Sequence, residues 1–286
     1  MKHNLKITFL LLSVFFLAQI IGLVIVHSYI DTGKTEQTGK TTFEELPLGV
    51  QRPPVREQTS FLYILTAVLV GTFLLFLLMK FRIHLLWKIW YFMAVFISLV
   101  MAFGAFVSST WAVIIGFVLA LWKIVRPNIF VHNISELFIY GGLAAIFVPV
   151  MNVFAGVMLL IVISLYDMYA VWKSKHMIKL AEFQSKSNVF AGFYVPYRLP
   201  EGMKTKKMKK TKVAILGGGD IAFPLLFAGT ILKEFGLIFS VIIPVCTTIA
   251  LFFLLLKGKK DTFYPAMPFL SAGCLIGYGV VAILTF

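Results

Sequence analysis

The chain has 286 residues and a formal net charge of +14; 60% of its residues are hydrophobic and only 13% are charged. A soluble domain of this size carries roughly a quarter charged residues, so this composition excludes an ordinary soluble protein. The Lys and Arg residues lie between apolar runs and not in a basic domain, which argues against nucleic-acid binding and favours contact with anionic lipid headgroups.

The apolar runs predict an all-α, polytopic membrane protein with about nine transmembrane helices, since about 20 apolar residues cross a bilayer. The first run is too long for a cleaved signal peptide, so we expect it to be a retained span. Four runs each have the length of one span: Leu5–Ile30, Phe61–Met79, Val213–Leu232 and Phe235–Leu256.

Two longer runs and the tail complete the predicted helices. Leu85–Trp122 is too long for one crossing, and we expect a break at Ser108-Ser109 or at Gly104. Leu137–Trp172 is expected to break near Pro149 and Asn152. The ninth helix is expected from about Pro268 to Phe286.

The basic residues also predict an orientation. Most of the 26 Lys and Arg residues fall in alternate loops if the N-terminus is cytoplasmic, so the C-terminus is expected outside. The chain then divides into a six-helix part (1–173), a basic cytoplasmic loop (174–212) and a three-helix part (213–286). The middle of that loop, NVFAGFYVPY, is apolar and aromatic, which fits either the membrane surface or a cover over a site.

Two acidic residues, Asp167 and Asp220, lie within apolar runs, whereas the others fall at span ends or in loops. A carboxylate in the hydrocarbon region is costly and usually faces a partner or a wet cavity. Asp167 lies six residues before Lys173, and Asp220 lies eight residues after Lys212. In helices these positions are roughly 9 and 12 Å from the inner ends, so the two acids should share one depth on neighbouring helices.

Two carboxyls that meet in a low-dielectric site cannot both ionise, and they share one proton. One can activate a water while the other donates to a carbonyl, as in aspartic proteases. This chemistry needs no metal or other cofactor, and we expect none. The two cysteines, Cys246 and Cys274, lack metal-ligand spacing and are interpreted as buried apolar residues.

The sequence around the acids contains residues that loosen a helix. Three glycines, Gly217, Gly218 and Gly219, precede Asp220, and Pro224 removes the N–H that would bond to the Asp220 carbonyl. The segment Tyr264-Pro265-Ala266-Met267-Pro268 disfavours regular helix near the same membrane edge. Irregular backbone there fits contact with protein or with a water-filled cavity.

With these residues in place, the chain resembles the presenilin and signal peptide peptidase family of GxGD intramembrane aspartyl proteases, in particular microbial (archaeal) presenilin homologues. Tyr166-Asp167 matches the YD motif, Gly217-Gly218-Gly219-Asp220 matches GxGD, and Pro265-Ala266-Met267 stands where the family has PAL. Each motif is short, but three in order on the expected spans are specific. The first five spans match the family mainly in number.

The resemblance implies an intramembrane aspartic endopeptidase in which Asp167 and Asp220 are catalytic. Tyr166, the three glycines and Pro265-Ala266-Met267 would shape the site or bind substrate. Met267 departs from the family's Leu, which loosens any statement about subsite shape. The expected partners are transmembrane-helix substrates and the lipid bilayer, without nucleic acid, and a homo-oligomer is compatible with the sequence. The expected location is the cell membrane, with multiple spans.

Two alternatives use the same acids. A proton- or cation-coupled transporter also needs intramembrane carboxylates and broken helices, although no inverted repeat is visible. A prepilin-type GxGD peptidase typically has Lys two residues after the Asp, where this chain has Ala222. Cleavage of a membrane-spanning reporter would separate proteolysis from transport.

Overall fold

The computed structural model describes residues 5–81, 83–173, 190–196, 213–258 and 264–285. The basic run KTKKMKKTK of the predicted cytoplasmic loop lies outside these ranges. Within them, nine helices have at least 16 residues: α1 (Leu5–Ser28), α2 (Ser60–Lys80), α3 (His84–Gly104), α4 (Ser109–Val125), α5 (Ile129–Phe147), α6 (Val153–Met168), α7 (Gly218–Phe235), α8 (Ile242–Lys257) and α9 (Met267–Thr285). Two short helical segments, Thr32–Thr38 and Leu237–Ser240, precede α2 and α8.

Seven of the described helical segments are long and apolar enough to cross a membrane. They contain α1, α2, α3, α5, α6, α8 and α9. Helix α4 is apolar but has 17 residues, and α7 carries the charges of Asp220, Lys233 and Glu234. Many large apolar side chains are exposed on the outer helix faces, among them Leu85 and Ile283. Such an apolar exterior fits a multi-pass membrane protein, in which lipid is the solvent.

The two predicted helix breaks are confirmed. Helix α3 ends at Gly104, and α4 begins at Ser109. Helices α5 and α6 are separated by a 3-10 turn, Val148–Val150, and by Asn152, whose side chain caps α6 by accepting the Ala155 N–H over 2.8 Å. Proline and a short polar cap therefore end one span and start the next, as their chemistry dictates.

The sequence predicted an all-α chain whose seventh helix begins at Val213, and the predicted start of this helix is wrong. Residues Val213–Gly217 form strand β2, which pairs antiparallel with β1, Gly192–Pro196. Helix α7 begins only at Gly218. Its N-cap Gly217 is extended, with φ −67° and ψ 145°, and the glycines that follow are poor helix formers. The aromatic and β-branched residues of β1 supply a partner strand, which local hydropathy cannot reveal.

The pairing places Gly192 directly opposite Gly217. Gly192 has φ +141°, and a Cβ added there would lie 2.2 Å from the Leu216 carbonyl oxygen. Only glycine fits this position. The start of β1 is thereby held directly against the segment that leads into Asp220.

Helices α6, α7 and α9 meet in the main core, together with α1 and both strands. On the opposite side from the strands, Lys233 near the end of α7 donates to Glu57 Oε1 over 2.7 Å and to the carbonyls of Pro149 and Met151, each over 3.0 Å. These bonds tie the end of α7 to the turn between α5 and α6 and to the residues before α2.

Candidate active site

Asp167 lies in the last turn of α6 and is only 6% exposed. Its Oδ2 atom accepts the backbone N–H of Met267 over 3.0 Å, and the Ala266 N–H is also directed at this carboxylate. One turn earlier in α6, the Ser164 hydroxyl lies 2.8 Å from the Ser271 hydroxyl of α9, and both are buried. The serine pair and the Met267 bond fix α6 against the start of α9.

Asp220 is the third residue of α7 and is partly exposed. The sequence prediction of a position eight residues inside a helix is therefore wrong, because the preceding residues form β2. The carboxylate folds back toward the N-cap, where the Gly217 N–H is within its reach, an arrangement similar to a capping box. Gly219 beside it is exposed, so the backbone of the glycine run is accessible next to the acid.

The first turn of α7 has an additional support that the sequence analysis missed. Gln19 of α1 is fully buried and donates its Nε2 hydrogen to the Ile221 carbonyl over 2.8 Å. Pro224 inside α7 leaves the Asp220 carbonyl without its i+4 donor. A lone Gln in an apolar run of α1 was the available signal, but its partner is 202 residues away.

The fold brings the two predicted acids together. Helices α6 and α7 pack side by side, and both contact α9. Asp167 in the last turn of α6 and Asp220 in the first turn of α7 therefore lie on adjoining helices. The prediction that the two acids lie at one membrane depth was based on their distances from Lys173 and Lys212. It stays a prediction, because Lys212 lies outside the described residues.

The remaining predicted site residues lie around this pair. Residues 264–266 have no regular secondary structure, as expected for the proline-containing segment, and α9 starts at Met267. Pro265 and Met267 are buried, whereas Ala266 and Tyr166 are half-buried. Gly218 faces the strand: its N–H donates to the Ala191 carbonyl over 3.1 Å.

A second group of polar side chains was not predicted. We define the Glu136 cluster as Tyr91, Lys123, His132, Glu136 and Tyr140, all of which are buried. The sequence analysis places Glu136 at a span end or in a loop and Lys123 between apolar runs. In the structure both side chains are buried, and Glu136 lies within α5. The available signal was a Lys and a Glu, 13 residues apart, on consecutive helices.

Among the residues that the structure describes, no three His, Cys, Asp or Glu side chains form a group that could hold a metal ion. Cys246 and Cys274 are free thiols on α8 and α9.

Two carboxyls on adjoining helices can share one proton, which is the chemistry that aspartic proteases use. Residues 40–286 match the family "Signal-peptide peptidase, presenilin aspartyl protease", and the chain belongs to this family. It is a multi-pass membrane aspartic endopeptidase, and neither the transporter nor the prepilin-type alternative is favoured.

The fold resembles solved structures over almost its whole length. A presenilin family intramembrane aspartate protease, crystallised in space group C222, has a TM-score of 0.63 and 19% sequence identity, with 97% of this chain and 99% of that chain covered. The structure of such a protease in space group P2 gives the same TM-score and identity, with 99% and 98% coverage. No curated protein matches the sequence.

Proposed function

We propose that Asp167 and Asp220 are the catalytic dyad with which this protein hydrolyses peptide bonds inside transmembrane helices. The observation that carries the proposal is the meeting of three helices at one point. Asp167 on α6 accepts the Met267 N–H at the start of α9, and Asp220 lies in the first turn of α7, which packs against both α6 and α9. Each acid thus comes from a different helix of one packed core.

The proposed chemistry is that of a carboxyl pair with one shared proton. The ionised member takes a proton from a water, which attacks the scissile carbonyl, and the protonated member donates to the carbonyl oxygen. Protons move only between the two carboxyls, the water and the substrate, so no metal takes part. The Met267 N–H holds one oxygen of Asp167 and leaves the other for water or substrate.

Substrate contact is assigned to the residues around the dyad. The exposed backbone at Gly219, next to the partly exposed Asp220, leaves room for the main chain of a substrate to approach. We assign Tyr166, Gly217, Gly218 and the segment Pro265–Met267 to substrate contact because they adjoin the two acids. Tyr166 precedes Asp167, the glycines precede Asp220, and Met267 bonds to Asp167. Because a transmembrane helix has no free main-chain donors or acceptors, the substrate must unwind locally before it is cut.

We also propose a nine-span topology with a cytoplasmic N-terminus and an outside C-terminus. The seven apolar segments, together with α4 and α7, give nine crossings, and the distribution of Lys and Arg supports the orientation. The boundaries 1–173, 174–212 and 213–286 then separate the Asp167 part from the Asp220 part. In this orientation, single-span substrates with an outside N-terminus are favoured. A homo-oligomer remains compatible with the large apolar exterior.

Cleavage of a single-span substrate by purified protein in detergent tests the proposal. Asp167→Asn and Asp220→Asn should each lower turnover at least about 1,000-fold, because each removes one half of the shared-proton pair. Glu36→Gln, which changes an exposed acid in the short helix between α1 and α2, is the matched control and should leave turnover unchanged. Normal turnover in a folded variant of either acid would disprove the dyad, and ion-coupled uptake without cleavage would favour a transporter.

A further inference from the structure

Strand β1 is attached to the helices by side chains, not only by its partner strand. From α5, His132 Nε2 lies 2.7 Å from the Gly192 carbonyl, and Asn133 bonds to both the N–H and the carbonyl of Tyr194, over 3.0 and 2.7 Å. From α3, the Tyr91 hydroxyl donates to the Phe190 carbonyl over 2.8 Å. The main chain of β1 is therefore bound to α5, and the residue two positions before it is bound to α3.

Glu136 is at the centre of this attachment. Its Oε2 atom accepts the Gly192 N–H over 3.1 Å and the Tyr140 hydroxyl, and its Oε1 atom accepts from Lys123 Nζ over 2.5 Å. The side chains of Lys123 and Glu136 are 2% and 1% exposed. A buried ion pair of this kind rarely adds stability over apolar side chains of similar shape, so its presence is better explained by the geometry it imposes.

The attachment continues to the proposed catalytic residue through short steps. Glu136 holds Gly192, and Gly192 pairs with Gly217 in the sheet. The adjacent Ala191 carbonyl accepts the Gly218 N–H over 3.1 Å. Asp220 folds back over Gly217. Only backbone with little freedom lies between the Glu136 carboxylate and the turn that carries Asp220.

Tyr140 is a second, more direct link. Its hydroxyl donates to Glu136, and it lies 2.9 Å from the position that a Cβ on Gly218 would occupy. The Glu136 cluster is therefore packed against the glycine run itself. A shift of the carboxylate would be transmitted to Gly218 from both the strand and the Tyr140 ring.

We propose that Glu136, balanced by Lys123, is a positioning residue for proteolysis: it holds β1 so that the Gly217–Gly218 backbone presents Asp220 to Asp167. The inference rests on the proposed function for its catalytic consequence, although the positioning itself is a property of the fold. It assigns a role in the reaction to a carboxylate that is not one of the two catalytic acids.

The test removes the pair without leaving a buried charge. Lys123→Met and Glu136→Met are combined, which approximately keeps side-chain volume, keeps net charge and leaves no acceptor for the Gly192 N–H. Val195 and Ala214 are cross-strand partners, so a disulfide between Val195→Cys and Ala214→Cys reports the pairing of β1 with β2. The native thiols are removed by Cys246→Ala and Cys274→Ala. The matched control is Tyr29→Phe, which removes a buried tyrosine hydrogen bond, to the Met101 carbonyl, far from the strands.

With Lys123 and Glu136 intact, the two introduced thiols should form a disulfide under mild oxidation, and in the double variant this should be lost. In proteins without the introduced thiols, the double variant should lower kcat roughly 10-fold to 100-fold with little change in KM, since a small misplacement of a catalytic group has that effect. Tyr29→Phe should change neither the crosslinking nor kcat by more than its loss of thermal stability explains.

Crosslinking in the double variant that is as fast as in the parent would overturn the proposal. A loss of kcat equal to that of Tyr29→Phe would do the same, since it would show a general structural effect. If the parent protein never cleaves substrate but the double variant still loses the crosslink, the positioning of β1 by Glu136 is supported. The same result would count against the proteolytic dyad. If the double variant is active and still crosslinks, the role proposed for Glu136 is wrong, but the proposed catalytic dyad is unaffected.

Discussion

Met267 donates its backbone N–H to the Oδ2 atom of Asp167 over 3.0 Å, across 100 residues of sequence. The bond comes from the main chain, so the side chain at 267 is free to vary without changing it. A side chain other than Met at this position is therefore compatible with the contact to the acid. It also makes the contact testable, because proline removes an N–H without removing the residue.

Met267→Pro should lower turnover roughly 100-fold, since it deletes one preorganised donor to the carboxylate that we propose is catalytic. The fold should survive, because Met267 is the first residue of α9, where proline is tolerated. Met267→Leu keeps the N–H and should retain activity. The measurement is the initial rate on one transmembrane substrate, with helicity followed by circular dichroism. Equal loss in both variants would mean that the side chain, and not the N–H, matters.

The dependence of rate on pH should be bell-shaped, because the dyad works only with one shared proton. The acid limb corresponds to protonation of the second carboxyl, and the alkaline limb to loss of the shared proton. Rates are measured across pH at saturating substrate, with helicity followed in parallel to separate titration from unfolding. A rate that kept rising into strongly alkaline solution would contradict the shared-proton mechanism.

Gly192→Ala should abolish most activity and open the two-stranded sheet. The new Cβ would lie 2.2 Å from the Leu216 carbonyl oxygen, at a φ of +141° that disfavours alanine. Gly39→Ala is the matched control, since Gly39 also has positive φ, +66°, but nothing lies within 4 Å of its Cβ position. Turnover and thermal stability of both variants are compared. Similar losses in the two would assign the effect to backbone strain alone.

Lys233→Met should lower the free energy of unfolding by about 1 to 3 kcal/mol, because it removes an ammonium group that donates to Glu57 and to two carbonyls. The check is thermal unfolding in detergent. Lys34→Met removes an exposed ion pair with Asp31 and should change stability little. Equal behaviour of the two variants would show that the Lys233 bonds do not stabilise the end of α7.

The sequence by itself determined the class of protein and the two acids. The long apolar runs are suited only to a bilayer, which indicates a membrane protein. Pro149, Asn152 and Ser109 end or start helices by local chemistry, so the two helix breaks were predictable. Asp167 and Asp220 were identifiable because a carboxylate in an apolar run is costly wherever the chain folds. Three short motifs in order then indicated the family, which the match over residues 40–286 shows.

Only the tertiary structure decided that Val213–Gly217 is a strand and that Glu136 and Lys123 are buried. Hydropathy describes a residue's preference for lipid or water, and an apolar pentapeptide satisfies it equally as helix or strand. The choice is made by β1, about 20 residues earlier in the chain, whose backbone is bound by His132, Asn133 and Glu136. Long-range hydrogen bonds of this kind leave no local periodicity, and they set the position of Asp220.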